Sequence, residues 1–259
     1  MPTIEANGET LSYTRSGDGP VIVLLHGVGA NADLWAESVA PLAGDHTLLA
    51  FDLRGHGGSS ANGDFTISAM AQDITGALAA LGIDRFHLVG ASLGAEVAIQ
   101  VAASAGDAVA SLTVCGVGLV PDQALEDEVY GIQEAVHYLA DEDFAEQIGE
   151  ALLIPDAPQA SIDGLSGGIT TLGKRHYLAA LKAMVVSDLS DVAPQVMAQA
   201  LVLHGALEEL VPLEQAKALA DTMADAALQE IADAGHIAYL DNPQAFGAAL
   251  AAFLQTRRG

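Results

Sequence analysis

Short apolar runs separated by stretches of helical periodicity constrain this chain more than any other feature of its sequence. Continuous apolar runs occupy residues 21–25, 47–51, 86–89, 112–115, 200–203 and, less purely, 228–231. An apolar run of this length without alternation is typical of a strand that is buried on both faces, as in a parallel sheet. With 259 residues, the chain is long enough for one α/β domain that carries an insertion.

Stretches with helical spacing lie between these apolar runs. Apolar residues recur every three or four positions over residues 67–81, and Gly82 then offers a C-terminal cap. Residues 93–105 are rich in alanine and apolar nearly all round, which predicts a buried helix. Two late helices are predicted over residues 214–223 and 243–254. This alternation predicts an α/β fold with a mostly parallel central sheet flanked by helices.

Two regions depart from the alternation. Near the start, Asn7-Gly8 separates two short extended segments and predicts a hairpin over residues 3–14. Between residues 119 and 193 no buried-strand run occurs, and we interpret this region as an inserted helical cap. Its predicted pieces are helices over 125–139 and 144–153 and a looser stretch over 155–168. The remaining residues, 1–118 and 194–259, form the predicted core domain.

Charge and composition exclude several classes of protein. The formal net charge of −25 repels nucleic acid and anionic lipid at long range, so we expect neither as a partner. No apolar run approaches the roughly 20 residues that span a bilayer, and the first residues lack the pattern of a signal peptide. We therefore expect a cytoplasmic protein, with homodimer formation left open. The single cysteine, Cys115, permits no intrachain disulfide and is interpreted as a buried strand thiol.

The strongest chemical signal is the segment Gly90-Ala91-Ser92-Leu93-Gly94. It follows the strand predicted at 86–89 and opens the helix predicted at 93–105. A serine on a tight strand-to-helix turn is held exposed, and small neighbours are needed where the backbone crowds. We therefore predict that Ser92 is a nucleophile. The alternative is a glycine-rich turn that binds phosphate.

A second glycine-rich turn, His26-Gly27-Val28-Gly29, follows the strand predicted at 21–25. Backbone amides at such a turn, and at a helix N-terminus, can stabilise an oxyanion. The predicted donors are the amides of Val28 and Leu93, with Gly27 in contact with the substrate. We interpret His26 as a structural brace for the loop, with a direct role in proton transfer as the alternative.

A serine hydroxyl needs a base, and the base is commonly oriented by an acid. His236 lies in the loop after the last predicted strand, and histidine titrates near neutrality. Candidate acids follow the strand at 200–203, where Glu208 and Glu209 are adjacent. Other carboxylates, such as Asp122, remain alternatives. The chain order of serine, acid and histidine is the one expected for this kind of sheet.

With these motifs, the chain resembles proteins of the α/β-hydrolase fold over nearly its whole length outside the cap. The motifs are His26–Gly29, the serine turn, the segment Asp52-Leu53-Arg54-Gly55-His56-Gly57-Gly58-Ser59, Gly205…Pro212 and Gly235-His236. Within that family it most resembles small esterases and 3-oxoadipate enol-lactonases with a helical lid.

The resemblance implies roles for several acidic residues. Family members usually carry aspartate three residues after the glycine that corresponds to Gly205, and here Glu208 holds that position. Glu208 is therefore the implied acid, with a side chain one methylene longer than usual. The resemblance also implies that Asp52 and Arg54 pack beneath the active site in a structural role. Relatives with an aspartate nucleophile, namely epoxide hydrolases and haloalkane dehalogenases, are disfavoured by Ser92.

The cap supplies the remaining candidates. Lys174, Arg175, His176 and Lys182 cluster in a chain with only nine Lys plus Arg. We hypothesise that a cap cation, Arg175 above all, recognises a substrate carboxylate; the alternative is a solvated face. Apolar cap residues are expected to form a medium-sized pocket for an acyl or cyclic group, and they include Leu152, Ile154, Leu165, Ile169, Leu172, Tyr177 and Met184.

No cofactor or metal is expected, because no zinc-site spacing, P-loop or dinucleotide fingerprint occurs. The predicted activity is hydrolysis of carboxylic esters or lactones of small molecules through an acyl-enzyme on Ser92. Two alternatives remain open. One is C–C bond hydrolysis of the meta-cleavage-product type on the same three residues, and the other is a ligand-binding receptor with slow turnover.

Overall fold

A computed structural model describes residues 1–121 and 123–255. Within these residues the strands form one eight-stranded sheet in the order β1-β2-β4-β3-β5-β6-β7-β8. The strands are β1 (Thr3–Ala6), β2 (Glu9–Ser16), β3 (Val21–Leu25), β4 (Thr47–Phe51), β5 (Phe86–Ala91), β6 (Val109–Cys115), β7 (Ala200–Gly205) and β8 (Ala226–Ile231). The pairs β1/β2 and β2/β4 are antiparallel, and all other pairs are parallel. The predicted hairpin and the mostly parallel sheet are both confirmed.

Helices connect the strands and cover the sheet. They are α1 (Ala36–Val39), α2 (Ile67–Ala80), α3 (Leu93–Ala105), α4 (Gln123–Tyr138), α5 (Asp141–Ala151), α6 (Gln159–Leu172), α7 (Lys174–Val185), α8 (Leu213–Thr222), α9 (Ala238–Asp241) and α10 (Pro243–Gln255). As its composition predicts, α3 is buried over most of its surface, with Val97, Ile99 and Val101 at 0% exposure. None of the helices in the described ranges is both long and apolar enough to cross a membrane.

Helices α4 to α7 lie between β6 and β7, in the region interpreted as a cap. The prediction of a looser stretch over residues 155–168 is wrong, because α6 covers most of these residues. Glycines lower helix propensity here, but close packing accounts for Gly164 and Gly168, while Gly167 has open space around it. A Cβ on Gly168 would lie 2.2 Å from the carbonyl oxygen of Gly29, and one on Gly164 would lie 2.5 Å from the Leu34 side chain. Close contact with the core therefore overrides intrinsic propensity. The exact division into core and cap remains our interpretation.

Asp52 and Arg54 have structural contacts, as the resemblance implies. Both side chains are buried. The Asp52 carboxylate accepts hydrogen bonds from the amides of Ala32 (2.8 Å) and Gly58 (2.9 Å). Arg54 donates to both carboxylate oxygens of Asp73, at 2.9 and 2.7 Å. Arg54 thus ties the segment after β4 to α2, and Asp52 ties the same segment to Ala32. Cys115 is buried in β6, and this burial raises the pKa of its thiol.

The buried pair between Arg54 and Asp73 gives a stability prediction. Asp73→Asn removes the carboxylate that bonds the buried guanidinium and leaves Glu9, 3.5 Å from Arg54 Nε, as its buried acidic neighbour. Removal of one partner of a buried pair typically costs about 3–5 kcal/mol, and the remaining Glu9 places the expected cost at the lower end of that range. The control is Asp64→Asn, because Asp64 is exposed and contacts Arg54 through its backbone carbonyl oxygen at 2.7 Å. Urea unfolding should show a large decrease in the free energy of unfolding for Asp73→Asn and little change for Asp64→Asn. Equal values for the two variants would contradict this assignment.

Candidate active site

Ser92 lies on a strained turn between β5 and α3. Its backbone has φ +50° and ψ −118°, a conformation that non-glycine residues rarely adopt and that persists only where the surrounding structure enforces it. The Ser92 amide donates to the carbonyl oxygen of Cys115 at 2.8 Å, which ties the turn to β6. The side chain is thereby presented at the carboxyl end of the sheet, where the motif predicts it.

The glycines of the motif are required by close backbone contacts. A Cβ on Gly90 would lie 2.3 Å from the carbonyl oxygen of Gly94, and a Cβ on Gly94 would lie 2.2 Å from the carbonyl oxygen of Leu25. Both distances are too short for a real Cβ atom. The tight turn at Ser92 can form because these two positions have no side chain.

Three side chains meet at this turn. His236, in the loop after β8, places its Nε2 atom 3.0 Å from the Ser92 hydroxyl oxygen. The Nδ1 atom of His236 lies 2.8 Å from a carboxylate oxygen of Glu208, which follows β7. The Leu207 amide donates to the carbonyl oxygen of Ala234 at 2.9 Å, so the two loops are fastened together. Ser92, His236 and Glu208, predicted separately, are thus brought into one hydrogen-bonded chain.

Glu208 is held in place as an ionised acceptor. Its side chain is 1% exposed, and its second carboxylate oxygen accepts from the amides of Leu210 (2.7 Å) and Val211 (3.1 Å). Burial by itself would raise the pKa of this carboxyl, but the attraction of His236 and the three hydrogen bonds together lower it. Glu209 is exposed and does not take this place. Asp122, the other alternative, lies outside the described residues.

The predicted oxyanion donors belong to two turns, the one at Ser92 and the one after β3. Leu93 is the first residue of α3, so its amide belongs to the helix N-terminus. Among the described residues, neither this amide nor that of Val28 donates a hydrogen bond to another protein group. Gly27 is close to the nucleophile, since a Cβ there would lie 3.2 Å from the Ser92 Cβ. The lack of a protein acceptor for either amide is compatible with the predicted role of both as oxyanion donors.

His26 braces the loop that carries these residues. Its Nε2 accepts from the Leu53 amide at 3.0 Å, and its Nδ1 lies 2.7 Å from the carbonyl oxygen of Gly27. Burial lowers the pKa of the imidazole, although the nearby Asp52 opposes this effect. A neutral ring with its proton on Nδ1 satisfies both contacts. This geometry supports the structural interpretation of His26 over a role in proton transfer.

A largely apolar cavity of about 60 Å³ opens at Ser92 and His236. Its walls come from the core loops and from the cap, which contributes apolar side chains and Ser187. The apolar cap residues are Val120, Pro121, Leu125, Leu152, Tyr177, Leu181 and Met184. The volume corresponds to a few water molecules, so the cavity in this form suits a small substrate. Of the apolar cap residues predicted to form a pocket, Leu152, Tyr177 and Met184 line it.

The cap cations do not reach this cavity. Arg175 and Lys182 are exposed, and neither lines the cavity. Lys174 bonds instead to the carboxylate of Asp141 at 2.8 Å and to the carbonyl oxygen of Leu139 at 2.7 Å. Arg175 is therefore not brought together with the other predicted site residues, because the packing of α7 turns its side chain to solvent. The hypothesis of a carboxylate-binding Arg175 gains no support from this arrangement.

Two buried acids, Glu96 and Asp241, lie near the site although the sequence pattern does not predict them there. Glu96 lines the cavity, one helical turn after Ser92. Asp241, in α9, accepts from the amide of Gly235 at 2.8 Å and from the amide of Ile154 at 2.9 Å. Burial raises the pKa of Asp241, and Glu208 adds to this effect, while its two hydrogen bonds and His236 oppose it. Asp241 thus joins the His236 loop to the cap. The sequence pattern that points to Glu96 is a charged residue within a helix that is predicted to be buried.

The contacts of Asp241 give a second stability prediction. In Asp241→Asn, one of the two amides faces an NH₂ group in place of an acceptor oxygen, so one hydrogen bond is lost and two donors oppose each other. A cost of about 1–3 kcal/mol in the free energy of unfolding is expected. Asp233→Asn, at an exposed position of the same loop with φ +52°, is the control because asparagine tolerates this conformation. If urea unfolding gave the same small effect for both, Asp241 would not hold the loop.

The fold and site define an α/β protein with a serine on a strand-to-helix turn. Comparison with known proteins agrees: the family model described as alpha/beta hydrolase fold matches residues 20–154. The chain therefore belongs to the α/β-hydrolase fold family, as its resemblance implied.

Three relatives illustrate the family. A pimeloyl-(acyl-carrier protein) methyl ester esterase of Chromobacterium violaceum is 30% identical over 252 residues, which are 93% of this chain and 96% of that protein. A fluoroacetate dehalogenase of a Burkholderia species is 33% identical over 132 residues, only 49% of this chain and 43% of the dehalogenase. The crystal structure of an enol-lactonase from Burkholderia xenovorans matches with a TM-score of 0.88 at 25% identity and covers 98% of this chain and 100% of that one.

Proposed function

We propose that this protein is a serine hydrolase that cleaves carboxylic ester or lactone bonds of small substrates through an acyl-enzyme on Ser92. The observation that carries the proposal is the hydrogen-bonded chain from the Ser92 hydroxyl to His236 at 3.0 Å and from His236 to Glu208 at 2.8 Å. This chain has the geometry of an activated nucleophile with an oriented base. The esterase and enol-lactonase relatives support the same class of bond.

In the first half of the reaction, the Ser92 oxygen attacks the carbonyl carbon while His236 Nε2 takes the hydroxyl proton. The carbonyl π electrons move to the oxygen, and the amides of Val28 and Leu93 stabilise the resulting oxyanion. Each such donor is worth roughly 3–4 kcal/mol in comparable enzymes. Glu208 keeps the imidazole in the required tautomer and stabilises the imidazolium. Collapse of the intermediate expels the alkoxide, which receives the proton from His236.

In the second half, water replaces the alcohol. His236 takes a proton from the water, whose oxygen attacks the acyl carbon, and the same two amides hold the second oxyanion. Collapse returns the proton to the Ser92 oxygen and releases the carboxylic acid. In a lactone the leaving alcohol stays tethered to the acyl group, so the product is a single hydroxy acid.

The character of the cavity and the surface sets the proposed substrate class. The cavity is small and lined mainly by apolar side chains, which favours small uncharged esters and lactones. The net charge of −25 disfavours nucleic acid and anionic membranes as partners. We therefore propose a small molecule as the partner of this site.

Product analysis tests the reaction class. Purified protein is incubated with p-nitrophenyl butanoate, with γ-butyrolactone and with a vinylogous 1,5-diketone of the meta-cleavage type, and products are separated by liquid chromatography. Acid plus alcohol from the ester, or hydroxy acid from the lactone, supports the proposal. Cleavage of the diketone alone would assign C–C hydrolysis instead. Tight binding of an ester with negligible turnover would assign a receptor and overturn the proposal.

A further inference from the structure

Glu96 is a buried acid on the helix that begins at the nucleophile. Its amide donates to the carbonyl oxygen of Ser92 at 3.2 Å, so it lies one turn, roughly 5 Å, along α3. Helical side chains tilt toward the N-terminus, which directs Glu96 back toward the Ser92 turn. The residue is 6% exposed and lines the cavity. No step of the proposed reaction uses it.

The carboxyl group of Glu96 has an unfilled hydrogen-bonding capacity. The Ser187 side chain, just after α7, hydrogen-bonds to it. Its other oxygen, Oε2, is buried and has no hydrogen-bond partner among the described residues. Burial raises the pKa of Glu96 to about 8, with the Ser187 contact opposing the shift. At neutral pH the group is therefore mainly a carboxylic acid, which can donate an O–H.

The cavity indicates what this O–H would meet. Among its described lining residues there is no lysine or arginine, and the histidine that lines it, His236, is already engaged by Glu208 and Ser92. A polar group without a partner in an apolar cavity costs free energy, and a substrate atom that accepts its hydrogen bond removes that cost. An ionised carboxylate on the substrate would meet no lysine or arginine in the cavity. At higher pH it would also be repelled by ionised Glu96. An uncharged oxygen is the acceptor that fits.

The placement also indicates which half of the substrate is involved. The leaving alcohol must lie against His236 Nε2, on the side of the cavity built after β7 and β8. Glu96 and Ser187 bound the side where α7 packs on α3. The acyl group stays bonded to Ser92 through both halves of the reaction and extends away from the leaving group. Its chain is therefore the part of the substrate within reach of Glu96.

We propose that Glu96 is a substrate-binding residue that donates a hydrogen bond to an uncharged oxygen on the acyl chain. The enzyme then prefers oxo-acyl esters to alkyl esters of the same length. This inference rests on the proposed ester hydrolysis, and it names the substrate class of that same site.

The test compares kcat/KM for methyl 4-oxopentanoate and methyl pentanoate, which differ by a carbonyl in place of a methylene. The wild type should prefer the oxo ester about tenfold, the worth of one net hydrogen bond. Glu96→Gln keeps an N–H donor and should keep most of the preference, while Glu96→Leu should lose it. The matched control is Gln100→Leu, one turn further along α3 and outside the cavity lining, which should keep the wild-type ratio.

The ratio of kcat/KM values for the two esters tests the role of Glu96 separately from the proposed ester hydrolysis. A variant that is partly unfolded loses activity on both esters alike, so the ratio still reports recognition. If both esters turn over with a ratio near one in the wild type, or if Glu96→Leu keeps the preference, the role of Glu96 is refuted and ester hydrolysis stands. If neither ester nor any other ester is hydrolysed and Ser92 does not react with a fluorophosphonate, the proposed function itself fails.

The pH dependence of the same ratio gives a second readout on the unaltered protein. As the pH rises through about 8, Glu96 loses its proton and can no longer donate, so the preference for the oxo ester should decline. In Glu96→Gln the ratio should not change with pH. Titration of His236 affects both esters equally and cancels from the ratio.

Other titratable groups near Glu96 are few. The remaining titratable side chains among the described lining residues are Tyr177 and His236. On the packed helix α7, Arg175 and Lys182 are exposed to solvent. On α2, the buried Asp73 is paired with Arg54.

A cationic ester tests the opposite assignment. Methyl 4-(trimethylammonio)butanoate carries a fixed positive charge. If it exceeds the oxo ester in kcat/KM, and its advantage grows with pH and disappears in Glu96→Gln, Glu96 binds a cation as a carboxylate and the proposal is overturned. Little or no turnover of this ester, with the oxo ester preferred, supports the proposal.

Discussion

Ser92→Ala is expected to lower kcat for small esters by about 10⁴- to 10⁶-fold. The hydroxyl is the only atom at the turn that can form the acyl bond, so its removal leaves only binding and oxyanion stabilisation. Steady-state hydrolysis of p-nitrophenyl butanoate measures the loss. Circular dichroism should show an unchanged fold, because alanine keeps the packing of the turn.

Ser104→Ala is the matched control for this prediction. Ser104 lies on the same helix, α3, and is exposed, and its hydroxyl donates to the carbonyl oxygen of Val101 at 3.1 Å. We expect activity within about twofold of wild type, since surface substitutions of this kind have small effects. Retained esterase activity in Ser92→Ala, with the control equally active, would remove Ser92 from the mechanism.

Glu208→Gln is expected to lower kcat/KM by about 10³- to 10⁴-fold. The amide keeps the size of the side chain but cannot stabilise imidazolium, and it can favour the wrong tautomer of His236. Glu209→Gln changes the adjacent, exposed residue and should leave kcat/KM near the wild-type value. A comparable loss in both variants, or a loss only in Glu209→Gln, would mean that Glu208 is not the acid.

The same variant has a predicted effect on stability against pH. The pKa of Glu208 is lowered in the folded protein, so its ionised form stabilises the fold above its ordinary pKa. That stabilisation is lost as the pH falls through the lowered value. Acid unfolding monitored by circular dichroism should therefore be less steep in Glu208→Gln than in the wild type. An identical acid transition would contradict the lowered pKa.

Local signals account for the parts of the site that the sequence predicts. Ser92 is predicted because the strand, the glycine turn and the helix are consecutive. The crowding at Gly90 and Gly94 explains why the motif needs glycine at both positions. His236 and Glu208 are found because each directly follows a strand at the carboxyl edge of a parallel sheet. Placement at one edge follows from strand order, which the alternation of elements largely determines.

The parts that escape prediction depend on packing between distant segments. Helix α6 forms despite its glycines, and the close approach of Gly168 to the carbonyl oxygen of Gly29 is not contained in any local pattern. The orientation of Arg175 depends on how α7 rotates against the core, and helical spacing does not specify that rotation. Asp241 is identified by its contacts with the amides of Gly235 and of Ile154, the latter 87 positions away. The position of Glu96 at the site is evident only in the structure, where its buried helix borders a cavity.

The most direct test of the central claim is the intact mass of the protein after reaction with a small fluorophosphonate, for the wild type and for Ser92→Ala. Such a probe reacts with an activated serine whatever the natural substrate is. We predict one adduct on the wild type, mapped to Ser92 by peptide analysis, and none on the variant. No adduct on folded wild type, or an equal adduct on Ser92→Ala, would contradict the assignment of Ser92 as the working nucleophile.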